Sequence, residues 1–202
     1  MEDAFQMSTA HPRLRADAVR NRQRALEATK ELLTDPNAVI TVEAIAAKAG
    51  VGAATVVRAF GGKDALIDAA VSGLLTPLVQ RARDLLSDLR PDEALRTFLG
   101  DLLAFQAAHH TMNPQVEALD LPATEAAQEA VQQVLLEMIT HARDAGTIRT
   151  DLDATVTMTL IGECTYAIAR SRANSSELAA SYLTVLMGGL RPQTPGTPSE
   201  TR

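Results

Sequence analysis

The chain of 202 residues is 46% hydrophobic, which excludes a disordered protein and suits one domain or a small head joined to a larger body. Aromatic residues make up only 3%, so the core must be built from aliphatic side chains, which pack well between helices. The net charge of −6 excludes a protein that is coated in nucleic acid over its whole surface.

The beginning of the sequence has no apolar segment of the kind found in signal peptides, and no apolar run approaches the roughly 20 residues of a membrane span. The one cysteine, Cys164, excludes an internal disulfide, and we expect it to be a small buried residue rather than a redox sensor. The sequence therefore predicts a cytoplasmic protein.

Almost everything between the two ends has the apolar periodicity of helices, which predicts an all-α fold. A flexible basic arm is predicted over residues 1–15, and a loose tail rich in Pro, Thr and Ser over residues 192–202. Helices are predicted, in chain order, over residues 16–33, 42–48, 52–59, 63–86, 91–110, 124–145, 153–172 and 177–190. In the first of these, Val19, Leu26 and Leu33 recur at intervals of seven and predict the buried face.

The second and third predicted helices are short and are separated only by Ala49-Gly50-Val51, which is the pattern of a helix-turn-helix. Gly50 supplies the left-handed backbone of the turn, and Ala46 is small enough for the two helices to cross closely. The expected buried contacts between the helices are Val42, Ile45, Val51 and Val56, with Phe60 against the first helix. The residues left to face a DNA groove are Gly52, Ala53, Ala54, Thr55 and Arg58.

The stretch from Arg22 to Ile67 resembles the DNA-binding head of the tetracycline-repressor (TetR) family of bacterial transcriptional regulators. The matching residues are 22–33, 40–46, 49–51, 54–56, Arg58, Phe60 and 62–66, and softer matches lie at 145–151 and 188–192. The resemblance implies a three-helix helix-turn-helix head over residues 16–66 and a helical body over residues 67–191. It also implies a homodimeric repressor of double-stranded operator DNA that is released when the body binds a small molecule.

The distribution of charge agrees with DNA binding through the head. Residues 11–65 hold nine Lys/Arg and six Asp/Glu, a net charge of +3, whereas residues 66–202 hold ten and seventeen, a net charge of −7. Thr41, Thr55, Arg58 and Lys63 are predicted to donate to DNA, and Ala53 and Ala54 to touch thymine methyl groups. The sequence departs from the resembled family at Val57 and Ala59, where members often carry side chains that reach phosphates.

A small-molecule site is predicted in the body. Phe98, Leu102, Phe105 and His109 follow one another at spacings of four, three and four, so they share a side of one helix. Met138, together with Met112, Val134 and His141, is expected to complete the pocket. The alternative is that these side chains are ordinary core residues, since an apolar stripe is usually packing.

The last two helices, 153–172 and 177–190, are predicted to form the dimer interface as a two-plus-two helix bundle. Their expected apolar faces consist of Val156, Leu160, Ile161, Ala167 and Ile168 on the first, and Leu178, Tyr182, Val185, Leu186 and Leu190 on the second.

Other functional classes have little in the sequence to favour them. His109, His110 and His141 belong to no cluster with the spacing of metal ligands, so neither a metal nor a cofactor is expected. No Gly-rich phosphate loop or nucleophile motif occurs, so an enzyme is not expected. Two functions remain open: a ligand-responsive repressor, and a ligand-binding or interaction protein of the same fold with weakened or lost DNA binding. Val57 and Ala59 favour the second.

Overall fold

The computed structural model describes residues 7–109, 116, 119–171 and 176–192, with side chains from residue 15 onward. These residues form helices and no strand. The helices are α1 (Met7–Leu33), α2 (Val42–Ala49), α3 (Ala53–Phe60), α4 (Lys63–Asp88), α5 (Pro91–His109), α6 (Pro122–Asp144), α7 (Ala154–Ala169) and α8 (Ser176–Leu190). None of the helices in the described part of the chain is long and apolar enough to cross a membrane.

The chain divides into two compact units. The head unit comprises Met1–Leu74 and Thr111–Ala126, and the body unit comprises Leu75–His110 and Ala127–Arg202. The division falls inside α4 and inside α6, so neither helix belongs to one unit alone. The head unit thus extends along α4 past residue 66, the boundary predicted from the sequence, and it includes residues 111–126 as well.

The head is built around one aliphatic core to which α1, α2, α3 and the start of α4 all contribute. Ile45 and Val56 are fully buried at the contact between α2 and α3, and Ala46 is buried beside them, as predicted. Val42, Val51 and Phe60 pack against the same core while remaining partly exposed. The helix-turn-helix is thus held by the interior contacts that its sequence predicts.

Local signals fix both ends of α2. The Thr41 hydroxyl accepts a hydrogen bond from the Ala44 N–H at 3.1 Å and caps the first turn. At the other end, the Gly50 N–H donates to the Ala47 carbonyl and the Val51 N–H donates to the Ala46 carbonyl. This pair of hydrogen bonds is the Schellman motif. Gly50 has φ of 63°, and a Cβ there would lie 2.7 Å from Nη2 of Arg24. The left-handed backbone therefore favours glycine at this turn, whereas the exposed end of the Arg24 side chain could move aside.

The first helix differs from the prediction at its N-terminal end. It begins at Met7, inside the segment expected to be a flexible arm, and it runs through Pro12. Residues 13–33, which follow, contain neither Gly nor Pro to stop the helix. Val19 is 68% exposed, whereas Ala25, Ala28, Thr29 and Leu33 are buried. The apolar repeat at Val19 therefore extends past the core that α2 and α3 provide. Residues 1–6 of the predicted arm and 193–202 of the predicted tail lie outside the described residues.

The body has a separate core, to which all five of its helices contribute. Phe98, Leu99 and Leu95 of α5 are completely buried there, together with Met138 and Ile139 of α6 and Ile161 of α7. Helix α5 contacts both α7 and α8. Asp153 caps α7, as its position predicts, by accepting from the N–H groups of Thr155 and Val156 at 2.9 and 3.0 Å.

The loop between α6 and α7 is joined to the end of α8 through Arg149. Its N–H donates to the Leu190 carbonyl at 2.7 Å, and its guanidinium donates to the Gly189 carbonyl at 3.2 Å. Asp151 holds the same guanidinium through two bonds of 2.7 and 2.5 Å. The two softer stretches of the family resemblance, 145–151 and 188–192, therefore meet in space, where they satisfy carbonyls at a helix end.

The N-terminus of α6 is capped by a side chain from α4. The buried carboxylate of Asp68 accepts from the N–H groups of Ala123 and Thr124 at 2.9 and 2.8 Å, and from the Thr124 hydroxyl at 2.8 Å. Burial by itself raises the pKa of Asp68, but the hydrogen bonds from Ala123 and Thr124 outweigh it, so the pKa lies below its usual value of 3.8. The predicted start at Thr124 missed this cap, and the helix begins at Pro122, a residue suited to a first turn.

We predict that Asp68→Asn lowers the free energy of unfolding by about 1–3 kcal/mol, because an amide nitrogen would face buried N–H donors. Since the folded pKa of Asp68 is depressed, its contribution is complete above pH 3.8 and is lost as the pH falls further. The stability difference between parent and variant should therefore be constant between about pH 5 and 8 and shrink in stronger acid. Denaturant melts across this range measure it.

Asp64→Asn is the matched control, because Asp64 lies on the same helix with its side chain 63% exposed. It should change stability by no more than about 0.5 kcal/mol. Equal unfolding free energies for the parent and Asp68→Asn at neutral pH would contradict the cap.

Candidate nucleic-acid interface

Helix α3 presents a narrow outer face. Val56 is its one buried side chain, whereas Ala54, Val57 and Arg58 are exposed. Ala53 and Thr55 are half-buried, and Ala53 packs against the head core rather than standing clear of it. Of the two alanines predicted to touch bases, Ala54 is the one fully on the outer face.

Two of the predicted phosphate ligands lie at helix starts in the head. Thr41 uses its hydroxyl oxygen to cap α2, and the hydroxyl proton is still available to an acceptor. Lys63 opens α4, and its Nζ lies 3.7 Å from the Asp64 carboxylate. An exposed pair at that distance holds the ammonium only weakly. Arg58 has no ion pair within the part of the chain that the structure describes.

Val57 is 44% exposed, so its side chain is not an inward part of the head core. Ala59, two residues later, is half-buried. Neither side chain has a hydrogen-bond donor, so the last turn of α3 carries one donor side chain of its own, Arg58. Val57 and Ala59, where members of the resembled family often carry side chains that reach phosphates, are therefore not part of the buried core.

Arg22 of α1 was not among the predicted site residues, yet it lies at the end of α3. Its Nη1 donates to the Ala59 carbonyl at 2.7 Å, and its guanidinium carbon lies 4.1 Å from the centroid of the Phe60 ring. The sequence signal was only one more arginine among several on the outer side of α1. The 37 residues that separate Arg22 from Ala59 hid the contact.

In the body, the structure divides the predicted ligand residues into two groups. Phe98, Leu102 and Met138 belong to the buried core cluster, with Phe98 and Met138 at 0% exposure. Phe105 and His109 are half-buried at the end of α5, with ring centroids 4.4 Å apart. Nδ1 of His109 lies 2.7 Å from the Phe105 carbonyl. Met112 lies outside the described residues.

Gln106 lies between Phe105 and His109 on α5 and was also missed. Its Oε1 is buried and has no hydrogen-bond partner among the described residues. Leaving a buried acceptor without a donor costs about 1–3 kcal/mol. Gln106 follows Leu102 by four residues and Leu99 by seven, so it continues a buried apolar face. A polar residue in an otherwise apolar stripe could have identified Gln106 as a candidate site residue from the sequence.

The outer surface of α7 and α8 carries apolar side chains. Helix α8 has a strongly apolar sequence, yet Leu190 is the one residue in it that is buried. The predicted dimer residues divide accordingly. Ile161 and Leu190 face the protomer's own core, while Leu160 and Val185 are 55% and 75% exposed, along with Val156 and Ala167. The other predicted residues are half-buried: Ile168, Leu178, Tyr182 and Leu186.

Two further expectations concern reactive side chains. Cys164 is exposed, which corrects the expectation that it is a buried hydrophobic residue, because it faces the same side of α7 as Leu160 and Ala167. Among the described residues, no three His, Cys, Asp or Glu side chains converge as a metal site would require.

A helical head with a helix-turn-helix, followed by a larger helical body, defines a transcriptional regulator that binds DNA through its N-terminal part. The family model described as "Bacterial regulatory proteins, tetR family" matches residues 25–70. A second model, "Transcriptional regulator SbtR-like, C-terminal domain", matches residues 90–192. The chain belongs to the TetR family, which confirms the resemblance and the all-α class.

Solved structures agree with this assignment. A TetR transcription regulatory protein from Mycobacterium vanbaalenii shares 33% identity, with a TM-score of 0.63, and the match covers 88% of this chain and 99% of that one. A TetR regulator from Streptomyces coelicolor shares 26% identity at a TM-score of 0.63, covering 86% and 99%. FadR from Bacillus subtilis, solved with stearoyl-CoA, has the same fold at 16% identity and a TM-score of 0.68, covering 84% and 99%. A comparison with curated proteins found no match.

Proposed function

We propose that this TetR-family regulator is a ligand-responsive repressor that binds operator DNA as a homodimer and acts without catalysis in the cytoplasm. The observation that carries the DNA-binding part is the outer face of α3. Val56 fixes the helix to the head core, while Ala54 and Arg58 are exposed, and no described carboxylate pairs with the Arg58 guanidinium. Arg58 is suited to a guanine edge, Ala54 to a thymine methyl group, and Thr41, Thr55 and Lys63 to phosphates.

A second function is favoured by a specific observation. Val57 is an exposed apolar residue on the outer face of α3, and Ala59 offers no donor. A chain that has kept the fold but lost DNA binding would be an interaction or ligand-binding protein. The two functions differ in the salt dependence of binding to duplex DNA, which is steep for the repressor and absent for the alternative.

The proposed effector site lies at the end of α5. Phe105 and His109 offer a pair of half-buried rings, and Oε1 of Gln106, on the same helix, has no donor among the residues that the structure describes. An apolar molecule with an N–H or O–H group would cover the rings and satisfy this oxygen. The stearoyl-CoA bound by FadR, which has an acyl chain and amide N–H groups, suggests acyl-CoA esters as first probes. Phe98, Leu102 and Met138 support the site as core residues behind it.

The proposed homodimer pairs the outer surfaces of α7 and α8. Val185 of α8 and Leu160 and Val156 of α7 are exposed apolar side chains in the protomer, and burying such surface is favourable by about 25 cal/mol for each Å². A second copy of the same surface offers matching apolar side chains around a two-fold axis. Leu160 and Val185 are the side chains expected to gain most.

For DNA binding, we expect Lys63→Ala to weaken binding similarly on all sequences and to lower the log–log salt slope by about one for each phosphate that the lysine no longer neutralises. Arg58→Ala should instead change the sequences that are preferred in a random duplex pool. Lys48→Ala is the control, because its Nζ is already paired with Glu31 at 2.7 Å. If both test variants bind like the parent, the docking through α3 is wrong.

For the effector site, we expect Phe105→Ala to leave DNA affinity unchanged without effector and to abolish release of DNA by acyl-CoA esters in a fluorescence anisotropy titration. Phe98→Ala should act differently, lowering stability by about 3–5 kcal/mol, because Phe98 is completely buried in the core. A Phe105→Ala protein that releases DNA at the effector concentration of the parent would contradict the site.

For the dimer, we expect Val185→Glu to produce a monomer in sedimentation experiments, because it places a charge in the proposed apolar interface. Val39→Glu is the matched control. It is a valine of the head unit that is 70% exposed, against 75% for Val185, and it should leave the dimer intact. A parent protein that is a folded monomer at micromolar concentration would exclude the interface.

A further inference from the structure

Arg22 is held in place by two contacts of different kinds. Its Nη1 donates to the Ala59 carbonyl at 2.7 Å, and its guanidinium lies over the Phe60 ring at 4.1 Å. A hydrogen bond in the plane of the guanidinium and an aromatic ring against its face together fix both position and orientation. Arg22 is therefore a fixed charge at the end of α3, although the residue itself is exposed.

No carboxylate in the described part of the chain neutralises the charge of Arg22. Three other basic residues in the head have carboxylate partners: Arg20 pairs with Asp17, Lys30 with Glu27 at 3.2 Å, and Lys48 with Glu31 at 2.7 Å. Arg22 has none within the part of the chain that the structure describes. A guanidinium has five N–H donors, and the bond to Ala59 uses one of them. The rest are available to an anion.

The location of this charge matters for DNA. The C-terminal end of a helix carries partial negative charge from its unpaired carbonyls, which repels phosphate. Arg22 covers one of these carbonyls at the end of α3 and replaces its negative potential with a full positive charge. The last turn of α3 has Arg58 as its own cation, and Val57 and Ala59 have no donor there. Arg22 adds from α1 a donor that the helix itself lacks.

We propose that Arg22 is a DNA phosphate ligand and that it replaces, from α1, the contact that Val57 and Ala59 are unable to make. The inference rests on the proposed binding of operator DNA through α3. Its ligand is the phosphodiester backbone, so Arg22 contributes to affinity on every sequence and carries no base preference.

The test measures the dissociation constant of the full-length dimer for a duplex selected from a random pool, at several salt concentrations. Arg22→Gln should lower the log–log salt slope by about 0.9 for each head. For two heads, the parent should lose about tenfold more affinity than the variant between 50 and 200 mM salt. Arg22→Lys keeps the charge and should keep the parent's slope. Arg20→Gln, which removes an arginine paired with Asp17 on the same helix, should leave the slope unchanged.

The outcomes separate this inference from the proposed function and from a purely structural role. If Arg22 only positioned α3, both Arg22→Gln and Arg22→Lys would bind more weakly with the parent's slope, and that result would overturn the inference. Should Arg22→Gln fail to fold, as judged by its melting curve, an Arg22→Lys slope flatter than the parent's would overturn it as well. A parent that binds no duplex overturns the proposed function and the inference together.

Discussion

Helix α3 is too short to be stable alone, and the arrangement of the head depends on that constraint. An isolated helix of eight residues does not form in water, because nucleation costs more than so few hydrogen bonds return. Its conformation must come from tertiary contacts, yet Val56 is its one buried side chain. The remaining order comes from its surroundings: the Gly50 turn sets its direction, Phe60 anchors its end, and Arg22 holds its last carbonyl.

In the body, the helices differ in how much of their apolar surface the core buries. Helices α5 and α6 bury large aliphatic side chains and Phe98, so the inner core is complete within the protomer. Helices α7 and α8 are equally apolar in sequence but direct many of their side chains outward. Core formation therefore occupies one side of these helices and leaves apolar side chains such as Leu160 and Val185 exposed on the other. A chain with so few aromatic residues builds its core from aliphatic side chains.

Those parts of the fold that depend on neighbouring residues were predictable from the sequence. The cap at Thr41, the glycine turn, the buried set of Ile45 and Val56, and the cap at Asp153 all lie within a few residues of the elements they organise. Contacts between distant residues were not predictable, because a sequence pattern does not encode which helix a side chain meets. Asp68 is 55 and 56 residues from its partners, and Arg22 is 37 residues from Ala59.

The candidate sites show the same division. Apolar periodicity placed Phe98 and Phe105 on one stripe of α5 but gave no means of telling core residues from surface residues. In the structure Phe98 is buried and Phe105 is half-buried. Likewise, Val19 continues the heptad spacing of α1 beyond the helices that could cover it, so a repeat that is regular in sequence is exposed in the protein. Periodicity identifies a face, and the lengths of the neighbouring helices decide how much of it is buried.

The non-contiguous head unit has a consequence for protein engineering. A hybrid regulator joins the DNA-binding part of one relative to the sensing part of another, and the simplest design has a single crossover. In this chain, a single crossover after the helix-turn-helix would combine Asp68 from one parent with Ala123 and Thr124 from the other, and the buried carboxylate would meet a foreign helix end. A hybrid that transfers residues 111–126 together with residues 1–74 takes the Asp68 carboxylate and the N–H groups that it caps from the same parent protein. A hybrid of this chain that keeps the head unit whole therefore needs three junctions between the parent sequences rather than one.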